Sequence, residues 1–593
     1  MTPDRLLQHF ARISEAPDAI PRLRRFILDL AVRGKLVPQN SDDEPAAELL
    51  ERIEAAKERL AKNGEMPKAK PLSPIKEDEL LFDIPQNWTW TRLCKVTRYI
   101  QRGKSPKYAS SDGPPVISQK CIQWDGLHLE WAKAITSASI DSYEPIRFLR
   151  DGDLLWNSTG TGTIGRVIRV DNPRDQLVCD SHVTVVRCLL VNERFVQNWL
   201  RSFFVYGTIE TRAAGATNQV ELTAAIANNQ TIPIPPLAEQ HRIVAKVDEL
   251  MALCDELEAA QAKREKRRDR LVAATLHGLN NGDTAAESGS WMSFTESARF
   301  YFNHLPRLTT RPEHIKQLRQ TILNLAVRGK LVPQDPNDDP ASTLIERIHK
   351  HRYGLIEEKK LRSTKPNSLS IVRRDELQIP ENWAWGKFEE IVFVTKLAGF
   401  EFTNYFELEK TGEVPVVRAQ NVRPWKMDKS NLLFINSKTS EVLNRSALAK
   451  HCLLVTFIGA GIGDVALFEE NERWHLAPNV AKVELHEGCE NELCLNFLLM
   501  FLNSPFGRLE IFKHVKATAQ PSISMATIRD IDIPIPPNAE QHRIVAKVAE
   551  LMALCDALEA NLTSTASTQR RFLEAILGGA LKEKSLQTDI RFG

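Results

Sequence analysis

One segment of this chain occurs twice. "IPIPPLAEQHRIVAKVDELMALCDELEA" (Ile232–Ala259) returns as "IPIPPNAEQHRIVAKVAELMALCDALEA" (Ile533–Ala560), changed only at Leu237/Asn538, Asp248/Ala549 and Glu256/Ala557. Two further pairs precede it: "LRRFILDLAVRGKLVPQ" (Leu23–Gln39) with "LRQTILNLAVRGKLVPQ" (Leu318–Gln334), and "DIPQNWTW" (Asp83–Trp90) with "QIPENWAW" (Gln378–Trp385). These earlier pairs are offset by 295 positions and the first by 301, so the second half gains a net six residues between Trp385 and Ile533. A repeat of this length means two copies of one architecture, each running helix, helix, variable stretch, Pro-rich boundary and long helix.

Within each copy the local signals are clear. Leu23, Phe26, Ile27 and Leu30 lie on one helical face, and Gly34 and Gly329 sit where a helix C-cap glycine belongs. After each "IPIPP" the apolar residues alternate at spacings of four and three: Ile243, Val247, Leu250, Cys254 and Leu257, then Ile544, Val548, Leu551, Cys555, Leu558, Leu562, Phe572 and Ile576. That is a coiled-coil seam. The first copy interrupts it with "AKREKRRDR" before Leu271 resumes. The variable stretches carry short β-rich runs such as "GRVIRV", "HVTVVRCLL" and "AKVELHE", with helices at "ERFVQNWLRSFF" and "NELCLNFLLMFLN". The expected fold class is therefore α+β: two mixed domains separated by long coiled-coil helices, related by a pseudo-twofold internal repeat. Expected boundaries are 1–85 (helical segment and linker), 86–235 (first variable domain), 236–280 (central long helix), 281–310 (linker), 311–380 (second helical segment), 381–536 (second variable domain), 537–580 (distal long helix) and 581–593 (tail).

Composition narrows the function. A net charge of +2 excludes an all-over basic wrapper of nucleic acid, so any DNA contact must come from local patches. No apolar run reaches 18 residues and the first residues lack a signal pattern, so neither a membrane span nor export is expected. Nine cysteines without a C-x-x-C pair argue against a zinc ribbon or disulfide framework and fit a reducing cytoplasm; Cys254 and Cys555 read as small buried thiols.

The duplicated unit, a variable α+β domain followed by a helix opening "IPIPP-x-AEQ-x-RIV", resembles the specificity subunits of type I restriction–modification systems (HsdS). The same resemblance is carried by "RGKSP" (Arg102–Pro106), "GTGTIGRV" and "GAGIGDV", "ATNQVEL" (Ala216–Leu222) and its match "ATAQPSI" (Ala517–Ile523), and a twice-occurring Pro-Pro-x-x-Glu-Gln-x-x-Ile boundary. It implies two target recognition domains held apart on antiparallel helices, each reading half of an asymmetric, split DNA target. It implies further that the helices dock two methyltransferase subunits (HsdM), with motor–nuclease subunits (HsdR) joining for restriction. On that reading this chain is no enzyme and binds no cofactor: S-adenosylmethionine belongs to the methyltransferase, ATP and Mg to the motor–nuclease. The repeated helix, with Ile243, Val247, Leu250, Leu257, Ile544, Val548, Leu551 and Leu558 along its seam, is then the expected grip on two copies of one partner.

Comparison of the halves nominates the DNA-reading residues. "PVISQKCIQW" (Pro115–Trp124) matches "PVVRAQNVRP" (Pro415–Pro424), keeping Pro, Val and Ile/Val while Ser118, Gln119 and Lys120 become Arg418, Ala419 and Gln420, and Cys121 becomes Asn421. Arg suits guanine and Gln or Asn suits adenine in the major groove, so such exchanges would alter a sequence preference. Further candidates are Lys104, Lys107, Thr217, Asn218 and Gln219 in the first domain and Lys396, Arg423, Lys426, Lys516, Thr518, Gln520 and Ser522 in the second. The lysines and arginines among them suit phosphates better than bases, and solvated surface charge is the competing explanation for each one taken singly.

Two rival functions fit parts of the sequence. A DNA-adenine methyltransferase with its own S-adenosylmethionine site would need "FIGAG" (Phe457–Gly461) or "GTGTIG" (Gly160–Gly165) to run from a strand into a helix N-terminus. The residues after each motif are strand-like, so glycine hairpins are expected, and none of the three Pro-Pro pairs precedes an aromatic residue. A P-loop fails because Arg98 stands where glycine is required, and "HEGCE" is not H-E-x-x-H. A coiled-coil adaptor without DNA recognition explains the helices but not the two mixed domains with exchanged Arg, Gln and Asn.

Overall fold

The repeated apolar face forms helix α1 (Ala19–Val32), with Ile20, Leu23, Phe26, Ile27 and Ala31 buried. It ends in a Schellman turn: Gly34 takes φ 66°, and the N–H groups of Lys35 and Gly34 donate to the carbonyls of Leu30 and Ala31. A Cβ at Gly34 would also collide with the Pro85 ring, as one at Gly329 would with Pro380, so glycine is required twice over. The computed structural model describes residues 16, 18–67, 72–109, 113–160, 162–174, 176–209, 221–281, 294–361, 377–459, 461–513 and 522–582. Two units divide the chain, Met1–Arg264 with Ala566–Gly593, and Glu265–Thr565, so the boundary falls inside each long helix.

In unit 1, α1 is followed by α2 (Ala46–Lys62), whose Leu49 and Ile53 are fully buried. The variable domain opens with β1 (Thr89–Arg92) and closes with β9 (Thr231–Ile234), and these two strands pair antiparallel, Thr89 opposite Ile234. Entry and exit of the domain are thus hydrogen-bonded neighbours. Between them β2 (Thr97–Arg102), β5 (Leu154–Asn157), β6 (Val167–Arg169) and β8 (Val183–Cys188) form an antiparallel sheet in the order β2-β8-β5-β6. Both faces are covered, so β5 is apolar at successive positions: Leu154 and Trp156 pack with α2 and α3 (Glu193–Arg201), while Leu155 packs with Ile117 and Cys179 of a second sheet. That second sheet, of β3 (Pro115–Ile117), β4 (Lys133–Ala134) and β7 (Val178–Cys179), carries the candidate reading turn at its end. The long helix α4 (Leu237–Asn281) then begins.

Unit 2 repeats this plan with α6 (Pro312–Val327), α7 (Ala341–Glu357), and β10 (Ala384–Lys387) paired to β16 (Asp532–Ile535). One antiparallel sheet has the order β11-β15-β13-β14, from Val392–Lys396, Val480–Leu485, Cys452–Thr456 and Val465–Phe468. A second contains β12 (Val414–Val417) between an antiparallel and a parallel neighbour, as β3 is in unit 1. Helix α8 (Leu495–Asn503) and the long helix α9 (Asn538–Lys582) complete it.

The repeated motifs converge on one latch per unit. Glu239 is buried and accepts from Trp88 Nε1 (3.0 Å) and Gln39 Nε2 (2.6 Å); Glu540 accepts from Trp383 Nε1 (3.1 Å) and Gln334 Nε2 (2.6 Å). The neighbouring Gln240 donates to Pro235 O (2.9 Å) and accepts from the Asn192 N–H (2.8 Å), and Gln541 does the same with Pro536 O (3.0 Å) and the Cys494 N–H (2.8 Å). Arg242 grips Asp43 through both guanidinium nitrogens, and Arg543 grips Asp338 likewise. Arg24 bridges Asp255 and Glu258, and Arg319 bridges Asp556 and Glu559. Much of the nearly letter-for-letter repetition therefore has an internal cause: these residues tie each variable domain, and the helical segment before it, to its own long helix. Two of the three exceptions are local too. Leu237 packs on an apolar cluster while Asn538 donates to Glu492 O (3.0 Å), and Asp248 pairs with Arg194 (2.7 Å) where unit 2 has Ala549 and Asn496. Nothing in the structure explains Glu256/Ala557.

Two expectations need correction. The 281–310 stretch is not a plain linker, because Phe294–Leu308 is helix α5, with Ser297, Tyr301 and Leu308 buried in unit 2. The helix runs on through "AKREKRRDR", where the apolar seam breaks; Asp269 there accepts from Arg311 and from His314 Nε2–H (2.9 Å). The seam beyond it follows Val272, fully buried, while Leu271 is exposed. At the far end of α9, which belongs to unit 1, Leu573 and Ile576 pack on Ala16 and Ala19, Glu574 pairs with Arg22 (2.8 Å) and Arg570 with Asp18 (3.3 Å).

Candidate nucleic-acid interface

Three motifs far apart in sequence meet around one turn of unit 1. After β3 the chain turns through Ser118–Cys121, with Cys121 buried, Gln119 half-buried and Lys120 exposed. Asn157 at the end of β5 donates from Nδ2 to Gln119 O (3.0 Å) and Thr163 O (3.1 Å), clamping the turn to the glycine hairpin. Gly160, Gly162 and Gly165 all have positive φ there, and a Cβ on Gly160 would strike the Gln119 side chain. The hairpin leads into strand β6, as the sequence implied.

Side-chain hydrogen bonds hold the turn in place. Thr159 Oγ1 donates to Gln119 Oε1 (3.2 Å), so its contact with His182 Nδ1 (2.7 Å) has the imidazole as donor. The carbonyl of Gln119 is thereby engaged by Thr159. The "RGKSP" segment joins through Ser105 Oγ to Ser181 Oγ (2.9 Å) and Arg102 to Ser181 O (2.8 Å). Leu222, the last residue of "ATNQVEL", donates its N–H to Ser158 O (2.8 Å), and Glu221 pairs with Arg102. Beside the turn, Glu130 and Asp125 bracket His128 at 2.7 and 3.2 Å and hold its pKa above the ordinary value, and Trp131 stacks on the ring.

Unit 2 makes the corresponding cluster. Ser522 bridges to Ile458, Ile523 donates its N–H to Phe457 O (2.9 Å), and Trp425 donates its N–H to Val465 O (2.9 Å), so the glycine hairpin again meets both partner segments. Burial pushes the Asp464 carboxyl in that hairpin up, against the pull of Arg508 and Arg423.

The anticipated residues fall out unevenly. Ser118, Gln119, Lys120, Arg418, Gln420, Arg423, Lys426 and Ser522 lie on or beside these clusters, all exposed or half-buried. Lys104 and Lys107 are exposed; the former reaches Ser142 O (3.1 Å). Lys396 is half-buried, its Nζ 4.8 Å from the Phe457 ring centre. Asn421 is not a reader: it is buried, and Nδ2 donates to Asp428 O (2.9 Å) and Ser430 O (3.0 Å), closing the turn that follows. Thr217, Asn218, Gln219, Lys516, Thr518 and Gln520 lie outside the described residues. On the long helices Ile243, Val247, Ile544 and Val548 are buried inside their own units, with Leu250, Leu257, Leu551 and Leu558 packed at the edges, so the seam itself offers no open face to a partner. Thr159, His182 and Trp131 were not anticipated; only Thr159 had a sequence signal, its place beside the glycine motif.

Residues 96–265 and 380–566, more than half of the chain, match the family model described as "Type I restriction modification DNA specificity domain". The chain belongs to this family. Among its members, the EcoEI type I restriction enzyme specificity subunit of Escherichia coli is 31% identical over 582 residues, covering 95% of this chain and 94% of that protein. The EcoAI specificity subunit of the same species is 28% identical over 579 residues, covering 95% and 94%. A solved HsdS subunit from Thermoanaerobacter tengcongensis aligns at 16% identity and TM-score 0.41, covering 84% of this chain and 98% of that one. Among the described residues no helix is long and apolar enough to cross a membrane, and no group of His, Cys, Asp and Glu could hold a metal ion.

Proposed function

We propose that this chain is the non-catalytic DNA sequence-specificity subunit of a type I restriction–modification complex, working in the cytoplasm. Each recognition domain reads one half of an asymmetric bipartite target, and the long helices set the gap between the halves. The observation that carries this reading is duplication with selective divergence: the latches are kept residue for residue, while the turn after β3 and β12 changes from Ser118-Gln119-Lys120 to Arg418-Ala419-Gln420. Two different readers on one framework suit two different half-sites. Each long helix has 45 residues, a length of about 68 Å, ample for a spacer against a DNA turn of about 34 Å.

Two methyltransferase subunits dock on the repeated helices, and motor–nuclease subunits join that assembly. Leu253 and Leu554 support this: they occupy the same place in both copies and are 48% and 55% exposed. An unpaired leucine kept exposed twice, flanked by identical Lys246–Glu249 and Lys547–Glu550 pairs, suits a surface that meets the same partner twice. S-adenosylmethionine is bound by the methyltransferase partner, and ATP with Mg by the motor–nuclease.

The test is to replace residues 89–234 with the recognition domain of another family member and map methylated positions genome-wide. One half of the motif should change and the other persist. Change in both halves, or in neither, would falsify the modular assignment.

A further inference from the structure

A cleft of about 700 Å³ in unit 1 lies between the recognition domain and the latch helices. Its walls include four arginines: Arg24, Arg25, Arg194 and Arg201. Three aspartates also line it, but Asp255 is bound by Arg24, Asp248 by Arg194, and Asp125 by His128. Arg201, at the end of α3, is different. It is half-buried, stacks 5.3 Å from the Trp124 ring centre and donates to Trp124 O at 3.3 Å, and among the described residues it pairs with no carboxylate. Burial and the nearby Arg24 both lower its pKa, which marks a cation poorly compensated by its surroundings. Phe203 and Tyr206, on the π-helical turn that follows α3, complete the wall.

Unit 2 lacks the equipment. Asn503 stands where unit 1 has Arg201 and is satisfied by Val465 O (3.1 Å) and Leu499 O (3.0 Å). Gln320 replaces Arg25, and Asn496 with Ala549 replace the Arg194–Asp248 pair. Such one-sidedness argues against a contact with the methyltransferase, which should meet both copies alike. DNA is the ligand left, and phosphate contacts need not be placed alike in two recognition domains that have otherwise diverged. Position agrees: Trp124, on which Arg201 stacks, lies four residues beyond Lys120, and Gln123 between them is held by Arg166, which also donates to Gly162 O (2.7 Å) of the glycine hairpin.

The geometry points to a DNA backbone phosphate site in this cleft, with Arg201 as its principal ligand and Arg25 as the flanking charge, present for the first half-site only. This rests on the specificity-subunit reading above. A guanidinium with one face on an indole keeps its N–H edge for bidentate contact with a phosphate, and the contact anchors register without reading sequence.

The experiment uses the full chain in complex with its methyltransferase subunits and a labelled duplex bearing the mapped target, with Kd measured across a series of NaCl concentrations. Arg201→Asn, which installs the residue of the other half, should lower the slope of log Kd against log salt by about one while the methylated sequence stays the same. Arg201→Lys should restore the slope. The double variant Arg194→Asn/Asp248→Ala removes an ion pair from the same cleft without changing net charge and should leave the slope as in the parent; melting temperatures confirm that all variants fold. An unchanged slope for Arg201→Asn, an equal loss in the double variant, an altered methylation motif, or loss of the methyltransferase subunits would each overturn the phosphate assignment. If the parent complex shows no sequence preference at all, it is the specificity reading that fails.

Discussion

At the scale of single residues, the halves explain each other. Comparing them singled out the turn proposed to read DNA, because Val116, Ile117, Val416 and Val417 stay apolar under burial while the exposed positions after them diverge. The same comparison misread Asn421, since a polar exchange that closes a neighbouring turn looks, in sequence, like one that reads a base. Contacts such as Thr159 with Gln119 and His182 join residues 40 and 23 positions apart and had no linear signature. Thr159→Val should release the Gln119 carbonyl and relax discrimination at one base pair by about 1–3 kcal/mol, read as a broadened methylation motif with the melting temperature little changed. Glu239 makes a separate case. Both carboxylate oxygens accept from N–H donors, so Glu239→Gln points an amide N–H₂ at a donor and should destabilise unit 1 by about 1–3 kcal/mol in denaturant titration. Burial raises the Glu239 pKa, so the folded state takes up its proton at a higher pH than the unfolded chain does. Stability from this group therefore falls as pH rises from the unfolded glutamate value through the raised folded one, and the variant should lose that slope.

At the scale of elements, periodicity identified the helices and strands well, because their buried faces recur at simple spacings. It failed at α5, where Ser297 sits in the buried stripe, Pro306 lies inside the helix and a glycine- and serine-rich stretch comes before. It also could not say what the seam of the long helices packs against. Ile544 is fully buried in unit 2, so Ile544→Asp should unfold that unit itself, a loss visible by calorimetry before any partner is added. Leu253→Asp and Leu554→Asp sit on exposed helix surface and should change stability by no more than about 0.5 kcal/mol, yet together abolish co-purification of methyltransferase subunits. Retained co-purification would move the docking face elsewhere on the helices.

At the scale of the molecule, the order of repeated segments showed two copies of one plan, but which helix end belongs to which copy was invisible in it. Exchanging residues 89–234 cuts at the paired strands β1 and β9 and spares Trp88 and Glu239, so the chimaera should fold with a parental melting profile. An exchange carried on to residue 265 brings in a foreign Glu239, Gln240 and Arg242 and should yield a less stable protein by the same measurement. The ends of α4 and α9 have one more consequence. Asp269 settles beside Arg311 and His314, whereas Arg570 settles beside Asp18, an inverted polarity. A tail placed in the wrong cradle would confront a like charge. Ala16 and Ala19 therefore lack their apolar partners Leu573 and Ile576 until the last described turns of α9 have been synthesised.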